Sequence, residues 1–375
     1  MQREQASQGR DSFLDIVRGI AILSVILVHS GASANAASLA AGGHGVPPLI
    51  TGITDLGRFG VQLFFLLSGW LLENLYGSRT NVFSIRKFFV RRIARIYPLW
   101  LVFLVAGFLL PLLGLSTGIQ RLTQASDSSF AAMTLLIVAT TLTFTLWAFP
   151  SLWNTVIPGG WSIQAEIGHY FFFPVLRRLS IAGMIYLVAV MRLLTGIFYF
   201  SSQSLHNASF SYVLDAWLRL GLQNSLLYFV GGLLIGRWKK GQSEQWKGIF
   251  WPVLLIGFSL VISSDMLSEE LMKIGFIFLA LVSAAVISKT KALAAVFIKL
   301  GNYSYFIYFC HFVGLSLLDV VMRSAGFFSL ISNSPGYSIA LIPAYFTFSL
   351  LFSYSLAIAS WRWFESPVIQ LARKY

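Results

Sequence analysis

Apolar runs of about 20 residues recur from one end of this chain to the other, so lipid is the solvent in which it must fold. Windows of span length start near residues 12, 58, 96, 130, 161, 180, 210, 249, 271, 301 and 338. In a bilayer each segment must satisfy its own backbone hydrogen bonds, and these runs lack the alternation of barrel strands, so they read as helices. Charged residues make up only 11% of the chain, against about a quarter in a soluble domain. The expected fold is an all-α polytopic integral membrane protein, a single membrane-embedded domain over residues 1–375 with no soluble domain beside it.

The formal charge of +13 does not call for nucleic acid, because basic residues of membrane proteins gather in cytoplasmic loops. Arg3 and Arg10 precede the first run, and Arg79, Arg86, Lys87, Arg91, Arg92 and Arg95 lie between the second and third. Arg177 and Arg178, then Arg237, Lys239, Lys240 and Lys247, then Lys289, Lys291 and Lys299, and finally Arg362, Arg373 and Lys374 continue the series. These mark the inside. The base-poor connections near 31–53, 116–129, 201–209, 263–270 and 324–337 face outward.

Both termini are then cytoplasmic, which demands an even number of crossings from eleven apolar runs. About ten transmembrane helices plus one re-entrant or non-crossing segment are expected, the exception being 130–149 or 161–176. If 161–176 descends from the outer side, Glu166 lies at about the depth of His29, which favours 130–149 as the non-crossing piece. The start of the chain also imitates a signal peptide, with Arg18, an apolar run and Ala32-Ser33-Ala34. Retention is the expectation, because residues 12–34 are long enough to span. The single cysteine, Cys310, supports neither an internal disulfide framework nor a Cys-based metal site.

An ionisable side chain inside a membrane helix is costly and is a functional candidate unless it snorkels to an interface. Arg18 and His29 share the first run, about 16 Å apart by helical rise. Arg18 is either a cytoplasmic anchor paired with Asp15 or part of a site, and His29 is either a helix-end residue or a reactive one. Glu166 and His169 share a helix face, a spacing also used by carboxylate metal bundles; no second Glu-x-x-His occurs, and no metal is expected. Ser304, Tyr308 and His311 fall at helical intervals, as an aromatic belt or as site residues. Ser68 lacks the Gly-x-Ser-x-Gly elbow of soluble hydrolases and reads as a packing residue or a substrate contact. Arg91, Arg92 and Arg95 could hold lipid phosphate or the phosphates of a nucleotide-bearing donor such as coenzyme A.

Taken together, and in order along the chain, these motifs resemble the acyltransferase-3 family of membrane O-acyltransferases. The resemblance is carried by Leu14-Asp15-Ile16-Val17-Arg18 with His29, by Gly60-Val61-Gln62-Leu63-Phe64-Phe65-Leu66-Leu67-Ser68-Gly69, and by Arg91-Arg92-Ile93-Ala94-Arg95-Ile96-Tyr97-Pro98. It continues through Trp161-Ser162, Glu166, Tyr170 and Pro174, then Gly301-Asn302-Tyr303-Ser304-Tyr305-Phe306-Ile307-Tyr308 with His311, and Phe364-Glu365-Ser366-Pro367. Where many members carry two acids, this chain has Ala165-Glu166. The esterase-like domain that some members append has no room here.

The resemblance implies transfer of an acyl group, acetyl first, from cytoplasmic acetyl-CoA to a hydroxyl of an envelope or exported carbohydrate, polysaccharide or lipid-linked. It implies Arg18, Arg91, Arg92 and Arg95 on the donor, His29 as base, Glu166 orienting its imidazole, and Ser68, Trp161, Tyr170, Ser304, Tyr308 and His311 as substrate contacts. His29 carrying the acyl group itself is the other route. Membrane lipids and a separate extracytoplasmic acyl-handling protein are the further partners implied. The expected location is the cell (inner or plasma) membrane, multi-pass. The competing class is a proton-coupled transporter or lipid-linked sugar flippase, since buried Arg, His and Glu also make proton relays.

Overall fold

A computed structural model describes residues 11–77, 83–110, 115, 127–145, 158–203, 221–239, 264–327 and 335–374. Every regular element among them is helical. In chain order these are α1 (Ser12–Ala40), α2 (Pro48–Asp55), a 3-10 turn (Leu56–Phe59), α3 (Gly60–Tyr76), α4 (Ile85–Leu109), α5 (Asp127–Leu142) and α6 (Gly160–Leu176). There follow α7 (Ile181–Gln203), α8 (Leu222–Lys239), α9 (Ser264–Ile287), α10 (Lys291–Ser324), α11 (Pro335–Ser360), a π-helical turn (Trp361–Glu365) and α12 (Ser366–Arg373). The run expected near 249, the start of the one expected near 210, and Arg3, Arg10, Arg79, Lys240 and Lys247 lie outside the described residues.

Six stretches among the described residues are long and apolar enough to cross a membrane: Ser12–Ala40, Pro48–Tyr76, Ile85–Leu109, Ser268–Ile287, Lys291–Ser324 and Ser338–Ala372. The chain is thus a multi-pass helical membrane protein. The two helices between which the non-crossing piece was sought are both short, 16 residues in α5 and 17 in α6.

Several helices outrun their apolar windows. Helix α4 begins at Ile85, ahead of the run near 96, because Ser84 caps it, its Oγ accepting from Lys87 N at 3.3 Å. Its basic cluster is therefore helical. Helix α10 likewise starts at Lys291, ahead of the run near 301. Of the connection expected at 31–53, the first part is the end of α1 and the last part is α2. Gly42, at φ 79°, turns the chain after α1, and Asn35 Oδ1 accepts from Val46 N at 2.8 Å to hold the return. Most of the expected connection at 263–270 is the first turns of α9.

The described residues form two compact units. The first combines residues 11–64 with 273–361: α1, α2, the 3-10 turn, the start of α3, most of α9, α10 and α11. Its centre is a close crossing of α1 and α10. A Cβ on Gly301 would lie 1.9 Å from the Asp15 carbonyl oxygen, and one on Gly19 would lie 2.5 Å from that of Phe297. Small residues on both helices let the backbones touch, the usual way helices associate where no hydrophobic driving force separates protein from lipid. Gly301→Ala should cost about 1–3 kcal/mol of stability by overpacking, read as a lowered thermal midpoint in detergent. Gly275→Ala in α9, where a Cβ meets nothing within 4 Å, should leave the midpoint level or raised.

The second unit combines residues 65–272 with 362–374. Glycines join its helices too. A Cβ on Gly69 of α3 would sit 1.9 Å from Phe229 O of α8, and one on Gly232 of α8 would sit 1.9 Å from Leu66 O of α3. One end of this unit is tied by arginines: Arg177 donates to Tyr76 O from Nη2 at 3.1 Å, and Arg237 donates to Leu179 O from Nη1 at 2.7 Å and to Arg177 O from Nη2 at 3.1 Å. The ends of α3, α6 and α8 therefore lie together, in agreement with a charge census that put all three on one side. Arg237 itself is 1% exposed and ion-paired to Glu73 at 3.3 Å. It is a buried tie as well as one of the charges that the census counted on the inside.

Candidate active-site residues

In the first unit, Arg18 and His29 stand on α1 eleven residues apart, close to three helical turns, so they share a face. Arg18 is buried, and its Nη1 donates to Asp15 Oδ1 at 2.7 Å. The pairing with Asp15 is the one a membrane anchor would make, yet both groups are inside the protein and do not snorkel. His29 is half-buried. Its ring lies 5.3 Å from that of His311 and 4.5 Å from that of Phe312, centroid to centroid.

Helix α10 supplies the rest of that cluster. His311 is fully buried, its Nδ1 is 3.2 Å from Ile307 O, and its Nε2 has no hydrogen-bond partner among the described residues. A neutral imidazole that donates from Nδ1 keeps a lone pair on Nε2. Tyr308 packs its ring against Phe64 at 6.2 Å and His311 at 6.0 Å. Ser304 is buried and donates to Gly301 O, one turn back in its own helix, at 2.9 Å.

In the second unit, Glu166 on α6 is the hub. Its Oε1 accepts from Ser68 Oγ of α3 at 2.7 Å and from Tyr170 OH, one turn along α6, at 2.5 Å. Ser68 is thus a carboxylate's hydrogen-bond donor with a packing glycine beside it. Tyr170 in turn lies under the Arg92 guanidinium, 5.7 Å from the ring centroid, and Arg92 also stands 5.8 Å from the rings of Tyr76 and Phe88. Tyr170→Phe removes one hydrogen bond to a charged group and should cost about 1.5–3 kcal/mol, measured as a drop in unfolding midpoint.

The basic cluster on α4 divides by environment. Arg91 is exposed, Arg95 half-buried and Arg92 buried. Trp161, at the start of α6, is half-buried with its ring 6.4 Å from Phe65. His169, three residues from Glu166, goes elsewhere: its Nε2 meets Ser225 Oγ at 2.9 Å and its ring lies between Phe65 at 5.2 Å and Phe229 at 4.9 Å. Among the described residues no group of three His, Cys, Asp or Glu could hold a metal ion.

One buried network was not singled out from the sequence. Arg192 of α7 donates to Asn224 Oδ1 at 2.9 Å and pairs with Glu270 at 3.4 Å, and Tyr228 donates to the same carboxylate at 2.5 Å. The signal was available, since Arg192 interrupts an apolar run just as Arg18 does. The buried cation is thereby matched by a buried carboxylate.

Long apolar helices with ionisable side chains held inside them define a multi-pass membrane protein. Residues 11–358 match the family profile described as an acyltransferase domain, and the chain belongs to this acyltransferase-3 family. A 132-residue stretch is 36% identical to acyltransferase MdmB of Streptomyces mycarofaciens, covering 34% of this chain and 30% of that protein. The chain therefore matches less than a third of that relative's length. No solved structure matches the chain.

Proposed function

We propose that the protein transfers an acyl group, acetyl first, from cytoplasmic acyl-CoA to a hydroxyl of an envelope or exported carbohydrate. The observation that carries this reading is the family match over residues 11–358, which takes in the imidazole cluster of α1 and α10 and the carboxylate hub of α6. His29, half-buried beside His311, is the base that takes the proton as the acceptor oxygen attacks the thioester carbonyl; coenzyme A leaves as the thiol. Glu166 has one oxygen fixed by two hydroxyls, which holds its carboxylate in place for charge stabilisation. Arg91 and Arg95 offer guanidinium groups to the donor's phosphates, and Arg18 is the donor contact on α1. Trp161 and Tyr308 offer aromatic faces to a sugar.

The same reading sets about ten crossings, both termini in the cytoplasm, and residence in the cell (inner or plasma) membrane. A separate extracytoplasmic protein that receives the acyl group is a further partner of this reading. The test is coenzyme A release by the purified protein in vesicles given acetyl-, propionyl- and longer acyl-CoA, with and without a panel of sugars. Acceptor-dependent thiol release is expected. No release from any thioester, together with proton-coupled uptake of a sugar lipid, would establish transport in its place.

A further inference from the structure

Between α4, the end of α5 and α6, all within the second unit, lies a groove of about 350 Å³. Phe89, Ile93, Ile96, Tyr97, Phe144 and Phe171 form its apolar walls, and Arg92 and Tyr170 also face it. From Phe89 to Tyr97 it follows α4 for about 12 Å. Its walls are those of an alkyl-chain site, and one wall carries a cation.

That cation is unusual. Arg92 is 7% exposed; among the described residues its Nε has no hydrogen-bond partner and it forms no ion pair. Its observed neighbours are the three aromatic rings of Tyr76, Phe88 and Tyr170. Every other buried arginine described here, Arg18, Arg192 and Arg237, has a carboxylate within 3.4 Å. A buried guanidinium with no anion is costly, and a ligand's anionic head would supply what the protein does not.

Phe144 is an independent sign that the groove is built. Thr145 N bonds Thr140 O at 2.9 Å and Phe144 N bonds Thr141 O at 3.4 Å, so α5 ends in a motif whose left-handed position is normally glycine. Phe144 holds that position at φ 56°, a strain of about 1 kcal/mol or more for a side chain with a Cβ. Its ring meets Tyr97 at 5.7 Å and Trp100 at 5.4 Å, and Trp100 Nε1 donates to Thr141 O at 2.9 Å. The strain keeps an aromatic wall where a glycine would leave a gap.

The source of the ligand follows from the rim. Ile93 is 52% and Phe171 63% exposed, so the walls run out onto exposed apolar surface of α6 and of α4, a helix long and apolar enough to cross a membrane. We infer that the groove takes the alkyl chain of an anionic membrane lipid entering sideways from the bilayer, with Arg92 as the anchor for its acidic head. Exposed Arg91 is left to meet water-borne phosphates, which separates two neighbouring arginines that the sequence presents alike.

Occupancy is read without turnover, so it stands or falls apart from acyl transfer. The full chain, in phosphatidylcholine vesicles, is photolabelled with a trace of dodecyl phosphate carrying a terminal diazirine, and the labelled peptides are mapped by mass spectrometry. Label is expected on the peptides holding Ile93, Phe144 and Phe171. Arg92→Gln should weaken it roughly 10- to 100-fold, the loss of one hydrogen bond to a charged group, while Arg92→Lys retains most of it. Ile93→Trp, at a half-exposed position, fills the groove and should abolish site labelling, which decides the matter if Arg92→Gln does not fold. Even labelling of all lipid-facing helices, or equal site labelling by the uncharged dodecanol probe, would overturn the proposal. So would full displacement by long-chain acyl-CoA but not by excess anionic lipid, which would make the occupant the donor's acyl chain.

Discussion

His29→Gln should lower kcat for acyl transfer by roughly 100- to 10,000-fold, the range that one positioned general base contributes, while KM for the acyl-CoA stays near that of the wild type. Glutamine keeps a polar side chain of similar reach but has no lone pair basic enough to accept a hydroxyl proton. The fold should tolerate it: His29 is half-buried, and its neighbours His311 and Phe312 stay packed on each other at 4.1 Å. The split between kcat and KM is therefore the diagnostic reading, since a merely structural role would lower stability and donor binding together. A His29→Gln enzyme with kcat within about twofold of wild type would remove His29 from the chemistry. His311→Asn supplies the comparison, because its buried Nε2 has no hydrogen-bond partner among the described residues.

Much of this was legible before any coordinates. The apolar windows gave the helices, and the eleven-residue spacing of Arg18 and His29 put both on one face of α1. The Arg18–Asp15 pair was readable too, since three residues along a helix bring side chains together. What could not be read was tertiary register. The bonds described for Glu166 run to Tyr170, four residues on, and to Ser68, 98 residues away. The first was implicit in helical spacing; the second depends on how α3 lies against α6, for which no local signal exists.

Helix ends were the other blind spot. Apolar windows stop where side chains change, whereas a helix stops where its backbone loses hydrogen bonds, so α4 and α10 begin among basic residues ahead of their apolar windows. Arg237 shows the same error in energetic form. A cation at the edge of one apolar run was counted among the markers of the inside, although another run, that of α3, contains Glu73, and an acid inside a membrane helix needs a partner.

That pair carries the second large expectation. Glu73→Ala should destabilise the protein by about 3–5 kcal/mol, because it strands a buried cation. Arg237 and Glu73 have side chains 2% and 0% exposed, and the backbones of Gly77 and Gly236 close on the acid so tightly that a Cβ on either would come within 2.9 Å of it. Arg237→Leu should cost a similar amount, since it also removes the donors to Leu179 O and Arg177 O. The double variant Glu73→Ala/Arg237→Leu should lose markedly less than the sum of the two, because no buried charge is then left alone. Unfolding midpoints in detergent, followed by tryptophan fluorescence, give the cycle; strictly additive losses would show that the pair is not coupled. The consequence reaches the site, for this tie holds the ends of α3 and α6, the two helices that bring Ser68 to Glu166. Glu73→Ala should therefore lower activity even in the fraction that stays folded, with Ser68→Ala adding little further loss in that background.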